Sequence, residues 1–253
     1  MAQQATAVRR ARLGRAFGAE RTAVSGVVLL LPGGEESSDR RPSALLAAAS
    51  VRALGRRLMR AGAGDGLAVH VVHYRYRGWN GGEARLASDA TWAADEIVRR
   101  YGDVPVCLAG VDMGARAALH AGGHEAVNAV VAIAPWLPEE DLAAPPEPVK
   151  QLAGRRVLMV HGTNDERTDP ELSFRLAARV KKVNREVCRF EVHSDRHRLR
   201  QHRDEVAALV EDFVMGAVFG RPLSRPVEDA LAAPPPLGLR MPLAAGFGKS
   251  LRR

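Results

Sequence analysis

Short runs of consecutive apolar residues alternate along this chain with longer stretches whose apolar residues recur at helical spacing. The apolar runs predict strands over 26–31, 68–74, 104–110, 129–134, 156–161 and 187–192. Several are apolar almost throughout, as strands covered on both faces must be. Helical spacing predicts helices over 43–61, 84–100, 114–122, 170–183 and 200–215. Two have visible start signals. Ser43 follows Pro42, and Asp169 precedes Pro170, which suits the first helical position. Strand and helix alternate, so the expected architecture is α/β: a mostly parallel, twisted sheet with helices on both faces and right-handed crossovers.

Composition divides the chain further. A proline-rich stretch over 135–152 is too short for a cap domain and predicts a lid loop at most. From about 217 the chain turns rich in Pro, Gly and Ala, including Pro234-Pro235-Pro236. That tail is expected to lack a core of its own and to add little to the central sheet. The resulting division is a basic arm over 1–23, one domain over 24–216, and a basic tail over 217–253.

Charge sharpens this division. The formal net charge is +8, and only four residues are lysine: Lys150, Lys181, Lys182 and Lys249. Residues 1–25 carry +4 and residues 217–253 carry +4, so the body between them is neutral. The basic ends read as solvated arms, and no nucleic-acid-binding motif accompanies them. No apolar stretch is long enough to span a bilayer, and the arginine-bearing N-terminus has no apolar signal segment. Cys107 and Cys188 both fall in predicted strands, as buried thiols rather than a disulfide pair. A cytoplasmic protein without membrane or nucleic-acid partners is expected. The sequence does not specify an oligomeric state.

The chemistry concentrates at Gly110-Val111-Asp112-Met113-Gly114. An apolar run precedes it, and the helix former Ala115-Arg116-Ala117-Ala118-Leu119-His120 follows. Strand, sharp turn and helix, with glycines two residues either side of the centre, is the layout of a nucleophile elbow. Three further segments occur in the matching order. Leu31-Pro32-Gly33-Gly34-Glu35 resembles a His-Gly-Gly oxyanion loop, with Pro32 in place of His. Val160-His161-Gly162-Thr163-Asn164-Asp165 resembles a strand end carrying a catalytic acid. His197 follows the last strand in Val192-His193-Ser194-Asp195-Arg196-His197.

On these segments, residues 24–216 resemble the α/β-hydrolase superfamily. Tyr74-Arg75-Tyr76-Arg77-Gly78-Trp79-Asn80 and Ala134-Pro135-Trp136-Leu137-Pro138 are similar to small capless members related to dienelactone hydrolases and carboxylesterases. The resemblance implies a hydrolase acting on a small ester, lactone or related substrate, without a cofactor. It implies a triad of Asp112, His197 and Asp165, with Asp112 where the superfamily usually has Ser. It also implies an oxyanion hole from the N–H groups of Gly34 and Met113, and a pocket lined by Trp79 and Trp136.

Three roles for Asp112 stay open. A carboxylate can attack saturated carbon and form an ester that His-activated water cleaves. It can serve as an acid–base group beside His197, as in a lyase, cyclase or isomerase. It can also mark an inactive site in a binding or scaffold protein. Among the histidines, His193 lies too close to the strand end and His202 falls in the next helix, which leaves His197. Asp169 has a simpler task as a helix cap, which leaves Asp165 to orient the imidazole. No histidine pair has metal-ligand spacing, so no metal is expected.

Overall fold

A computed structural model of the chain describes residues 9–16, 23–139 and 145–249. Six long parallel strands form the centre: β2 (Gly26–Leu31), β3 (Leu67–His73), β4 (Val106–Val111), β5 (Val127–Ile133), β6 (Arg156–Gly162) and β7 (Val187–Val192). Two short strands, β1 (Arg12–Leu13) and β8 (Met241–Pro242), complete the edges. The order across the sheet is β1-β3-β2-β4-β5-β6-β7-β8, with only β1 antiparallel to its neighbour.

Side-chain alternation sorts the strands into two apolar layers. Val27, Leu29, Leu31, Leu108 and Val130 face one side. There they meet α2 (Arg85–Tyr101), α3 (Met113–Ala121) and α4 (Pro170–Val183) through Leu86, Ile97, Leu119 and Val180. Val28, Leu30, Cys107 and Val131 face the other side. There they meet α1 (Ala44–Ala61) and α5 (Arg203–Phe219) through Leu58, Leu209 and Phe213. Cys107 and Cys188 are buried, and burial pushes both thiols up to about 12. Asp169 caps α4 by accepting from the Glu171 N–H at 2.8 Å, whereas Ser43 precedes α1 without a side-chain cap bond. Among the described residues no helix is long and apolar enough to cross a membrane.

Both expected arms need correction where they are described. The boundary at 217 cuts through α5, which runs on to Phe219 and ends at Gly220 in the left-handed region. Beyond it, α6 (Arg225–Ala232) buries Val227 and Ala230 in the α5-side layer. Leu239 is fully buried, and Met241 and Pro242 pair with Phe190 and Glu191 of β7. The prolines hid this because they punctuate a succession of short elements, not a solvated chain. At the other end, Arg12 and Leu13 pair with His73 and Val72, and Gly14 N–H donates to the Val71 carbonyl at 2.8 Å. A two-residue strand carries too little periodicity to be seen in the sequence. Residues 1–8, 17–22, 140–144 and 250–253, which include parts of the expected arms and lid, lie outside the described residues.

The C-terminal packing has a measurable consequence. A chain ending at Gly220 loses the burial of Val227, Leu239 and Leu243. At roughly 1.5–3 kcal/mol per side chain, this costs on the order of 5 kcal/mol. Equilibrium denaturation should therefore show a large loss of stability against the full chain, and an unchanged midpoint would contradict the packing described here.

Candidate active site

The loops that leave the carboxyl ends of β2, β4, β6 and β7 meet one another. Asp112 stands on the turn between β4 and α3 with φ 54° and ψ −124°. This conformation is strained for a residue with a side chain, and its surroundings enforce it. A β-carbon on Gly114 would lie 2.2 Å from the Leu31 carbonyl oxygen, and one on Gly110 would lie 2.1 Å from that of Gly114. Only glycine lets α3 start this close to β2 and β4. The Asp112 N–H donates to Ile133 at 3.0 Å, and its carbonyl accepts from Trp136 at 3.2 Å, so the loop after β5 is fastened to the turn.

The loop after β2 lies against the same carboxylate. A β-carbon on Gly33 would stand 2.9 Å from Asp112 Oδ2, and one on Gly34 would stand 3.5 Å from the Met113 β-carbon. The buried Tyr74 hydroxyl donates to the Pro32 carbonyl at 3.1 Å, and the Glu35 N–H donates to the Arg77 carbonyl at 2.8 Å. These bonds hold the glycine pair across from the turn. Met113 N opens α3, where helix N–H groups lack partners within the helix and favour negative charge.

Asp165 follows β6 on a tight turn and is buried. Its Oδ1 accepts from the N–H groups of Arg167 and Thr168 at 2.9 and 3.1 Å. Its Oδ2 takes two imidazoles, His197 Nδ1 at 2.8 Å and His161 Nε2 at 3.0 Å. The loop that carries His197 is organised by the buried Asp195, which accepts from the N–H groups of Arg196 and His202, each at 3.0 Å. Its neighbour Asn164 N–H donates to the Asp195 carbonyl at 3.0 Å, which ties the acid loop to the histidine loop. His193 is exposed, and His202 turns to Asp195, so neither joins the site residues.

Asp112, His197 and Asp165 thus lie side by side although 85 positions separate the first from the second. His197 Nε2 is 3.4 Å from Asp112 Oδ1, an ion-pair distance rather than a short hydrogen bond. Asp112 Oδ1 is buried and has no hydrogen-bond partner among the described residues. Burial works against charge on His197, but the carboxylates of Asp112 and Asp165 outweigh it and raise its pKa to about 9. Burial also works against ionised Asp165, but hydrogen bonds from His161 and His197 outweigh it and hold the carboxyl well below the usual range. Asp112 and Asp165 therefore favour the imidazolium form of His197.

Two groups in this site have no clear sequence signal. Arg167 Nη2 reaches Asp112 Oδ2 at 3.3 Å from a half-exposed position. One arginine in an arginine-rich chain does not stand out. His161 was visible only as part of a motif, although its spacing of four from Asp165 is the signal that could have singled it out.

Trp79 needs correction as a pocket residue. It is buried in the core, with His120 edge-on and the Arg116 guanidinium 4.1 Å from its ring centroid. Trp136 is half-buried and meets the same guanidinium at 5.3 Å. Glu147 ties this layer together by pairing with Arg116 at 2.5 Å and His120 at 2.7 Å. Those partners outweigh its burial and hold its carboxyl down at about 2. The aromatic rings thus serve the arginine between them. Among the described residues, no group of three His, Cys, Asp or Glu side chains could hold a metal ion.

No protein-family model matches the chain, and no curated protein matches it by sequence. Solved structures do match. The Pyrococcus furiosus esterase Pf2001 superposes with a TM-score of 0.60 at 17% identity, over 77% of this chain and 84% of that one. Est1E from Butyrivibrio proteoclasticus, solved with ferulic acid bound, gives 0.58 at 15% identity, over 83% and 95%. A putative dienelactone hydrolase from Klebsiella pneumoniae gives 0.56 at 15% identity, over 84% and 99%. With the strand order and the strained turn after β4, these likenesses establish that the chain has the α/β-hydrolase fold.

Proposed function

We propose that this chain is a hydrolase for a small ester, lactone or related substrate, with Asp112 as a carboxylate nucleophile. The observation that carries the proposal is the buried Oδ1 of Asp112, which has no hydrogen-bond partner among the described residues and is held on a strained turn at ion-pair distance from an imidazole. A strained backbone persists where its surroundings over-determine it, and such strain gathers at functional sites. The esterases and the putative dienelactone hydrolase that share the fold support ester-type substrates.

The chemistry follows from what a carboxylate does well. Oδ1 attacks a saturated carbon of the substrate, a carbon–oxygen bond forms, and the leaving group departs with its electron pair. A carboxylate leaving group needs no proton, while an alkoxide takes one from the His197 imidazolium. Asp112 is now a neutral ester. One of the two carboxylates that hold the proton on His197 has lost its charge, so an imidazolium that has not already given its proton to an alkoxide releases it to solvent, and the neutral imidazole becomes available as a base. It takes a proton from water as the water attacks Asp112 Cγ. Negative charge develops on the other carboxyl oxygen, for which Gly34 and Met113 are the proposed N–H donors, with Arg167 nearby. Collapse expels the product alkoxide, which recovers the proton from His197 and leaves Asp112 as a carboxylic acid. That acid passes its proton to the neutral imidazole, which restores the carboxylate and the imidazolium. Asp165 accepts from His197 Nδ1 throughout and fixes the tautomer.

One observation favours a second reading. Arg167 and His197 both face Asp112, and two cations damp its nucleophilicity. In that case His197 donates and Asp112 accepts a proton, as in a lyase, cyclase or isomerase.

Isotope labelling separates the two. A panel of small lactones, alkyl esters, epoxides and haloalkanes is supplied in H2¹⁸O, and the peptide holding Asp112 is weighed after turnover. The covalent route places ¹⁸O in the Asp112 carboxylate. Label that goes to the product alone, turnover without any label, or no turnover across the panel contradicts the proposal.

The surrounding site has its own test. Asp112→Ser supplies a hydroxyl that His197 can deprotonate within the same donor arrangement. It should hydrolyse short p-nitrophenyl esters about 10²-fold faster than Asp112→Ala, the scale of one oxyanion donor. A folded Ser variant no better than the Ala variant would contradict the placement of Gly34 and Met113 as donors.

A further inference from the structure

A buried chain of hydrogen bonds runs behind the candidate triad. His161 is fully buried on β6, with Nε2 3.0 Å from Asp165 Oδ2 and Nδ1 2.8 Å from Ser173 Oγ. Ser173 is fully buried on α4, and the fully buried Arg189 of β7 donates Nε–H to its Oγ at 3.0 Å. The rest of Arg189 is anchored. Nη1 donates to the Leu239 carbonyl at 2.9 Å and to Glu191 Oε1 at 2.8 Å, and Nη2 donates to the Pro170 carbonyl at 3.0 Å.

The donors in this chain can be arranged in three ways, which differ in cost. Ser173 has a single proton and two acceptors at 2.8 Å, the Pro170 carbonyl and His161 Nδ1. If the proton went to Pro170, Nδ1 of His161 would have to donate to Ser173. Neutral His161 would then aim the Nε2 lone pair at a carboxylate oxygen, which repels it. The alternative is a doubly protonated ring. Burial opposes that charge, as do the nearby charges of Arg189 and His197, and together they outweigh the pull of Asp165 and lower the pKa of His161. The Pro170 carbonyl, meanwhile, already receives Arg189 Nη2. The arrangement that keeps His161 neutral and gives Asp165 Oδ2 a donor therefore runs from Arg189 Nε–H to Ser173 Oγ, from Ser173 O–H to His161 Nδ1, and from His161 Nε2–H to Asp165 Oδ2. Its cost is a contact of 2.8 Å between Ser173 Oγ and the Pro170 carbonyl without a proton between them.

We infer that His161 is a positioning residue for the triad, a neutral second imidazole whose Nε2–H shares Asp165 Oδ2 with His197 and whose tautomer is set by Ser173 and Arg189. This rests on the reading of Asp165 as the acid that orients His197. Two donors on one oxygen fix the carboxylate plane, so His197 meets an acceptor that does not rotate. They also divide the basicity of that oxygen. The pull of Asp165 on the His197 proton is weaker than it would be with His197 alone. His161 thereby makes it easier for His197 to give up its proton when Asp112 loses its charge. The arrangement also gives the C-terminal segment a task, because the Leu239 carbonyl holds the far end of the chain of donors.

Nitrogen-15 NMR of the resting, full-length protein tests this without any turnover, so its outcome is independent of whether Asp112 is a nucleophile. In wild type, His161 should show a protonated Nε2 and an unprotonated, hydrogen-bonded Nδ1 at neutral pH. A protonated Nδ1, alone or with Nε2, overturns the assignment. His161→Phe removes the second donor and leaves Ser173 free to donate to Pro170. The His197 pKa should then rise from about 9 by roughly half a unit to one unit, as expected for a carboxylate that loses one donor. The downfield proton on His197 Nδ1 should move with it. His161→Gln, which can return an N–H to Asp165, should bring both signals back toward wild type. A folded Phe variant with both signals unmoved overturns the proposal, and so does a Gln variant that behaves like Phe. If the Phe variant does not fold, the wild-type tautomer and the Gln variant decide the question.

Discussion

Everything in the site depends on the backbone of one residue. Asp112 sits at φ 54° because β4 must turn into α3 within a single residue, in a space bounded by the Leu31 and Pro32 carbonyls. That turn aims the carboxylate out of the sheet. It also starts α3 directly behind it, with Met113 N at the helix end, and leaves the Asp112 carbonyl to anchor the Trp136 loop. The glycines at 110 and 114 are the cost of this geometry, and the six-strand parallel core provides the stability that maintains it.

The charges arranged around that turn are balanced in a particular way. A serine at this place would leave His197 with one carboxylate partner. Asp112 gives it two, and the imidazole is held as a cation up to about 9. The folded-state pKa is raised, so the stability this pairing contributes is complete below about 6.5 and is lost as pH rises toward 9. The same coupling gives the proposed chemistry its order. The imidazolium is the resting form, and the base appears only once Asp112 has been esterified. In the proposed scheme Asp165 moderates this exchange, because its Oδ2 is divided between His197 and the buried His161.

Much of this was legible in the sequence. The six apolar runs located the six long strands to within two residues at each end, since strands buried on both faces leave an unbroken apolar signature. The glycines at 110 and 114 located the elbow because nothing with a β-carbon fits there. Asp112, Asp165 and His197 were placed by following strand ends, and the fold brings strand ends together. The remainder depended on contacts without a local pattern. Two-residue edge strands have no periodicity. The Pro-rich C-terminal segment is held by burial at Val227 and Leu239 and by Arg189, which lies far away in sequence. Trp79 looked like a pocket wall because aromatic residues often line pockets, yet Arg116 and Glu147 draw it into the core. Arg167 reaches Asp112 only through three-dimensional proximity.

The central claim is that Asp112 forms a bond to the substrate, and trapping that bond tests it most directly. In His197→Gln the first step remains possible for a leaving group that needs no proton, but no base activates water for the second. On treatment with small lactones or haloalkanes that wild type turns over, the variant should accumulate an ester detectable by intact mass. Peptide mapping should place that ester on Asp112. A folded variant that leaves Asp112 unmodified, with a substrate that wild type consumes, would contradict the account.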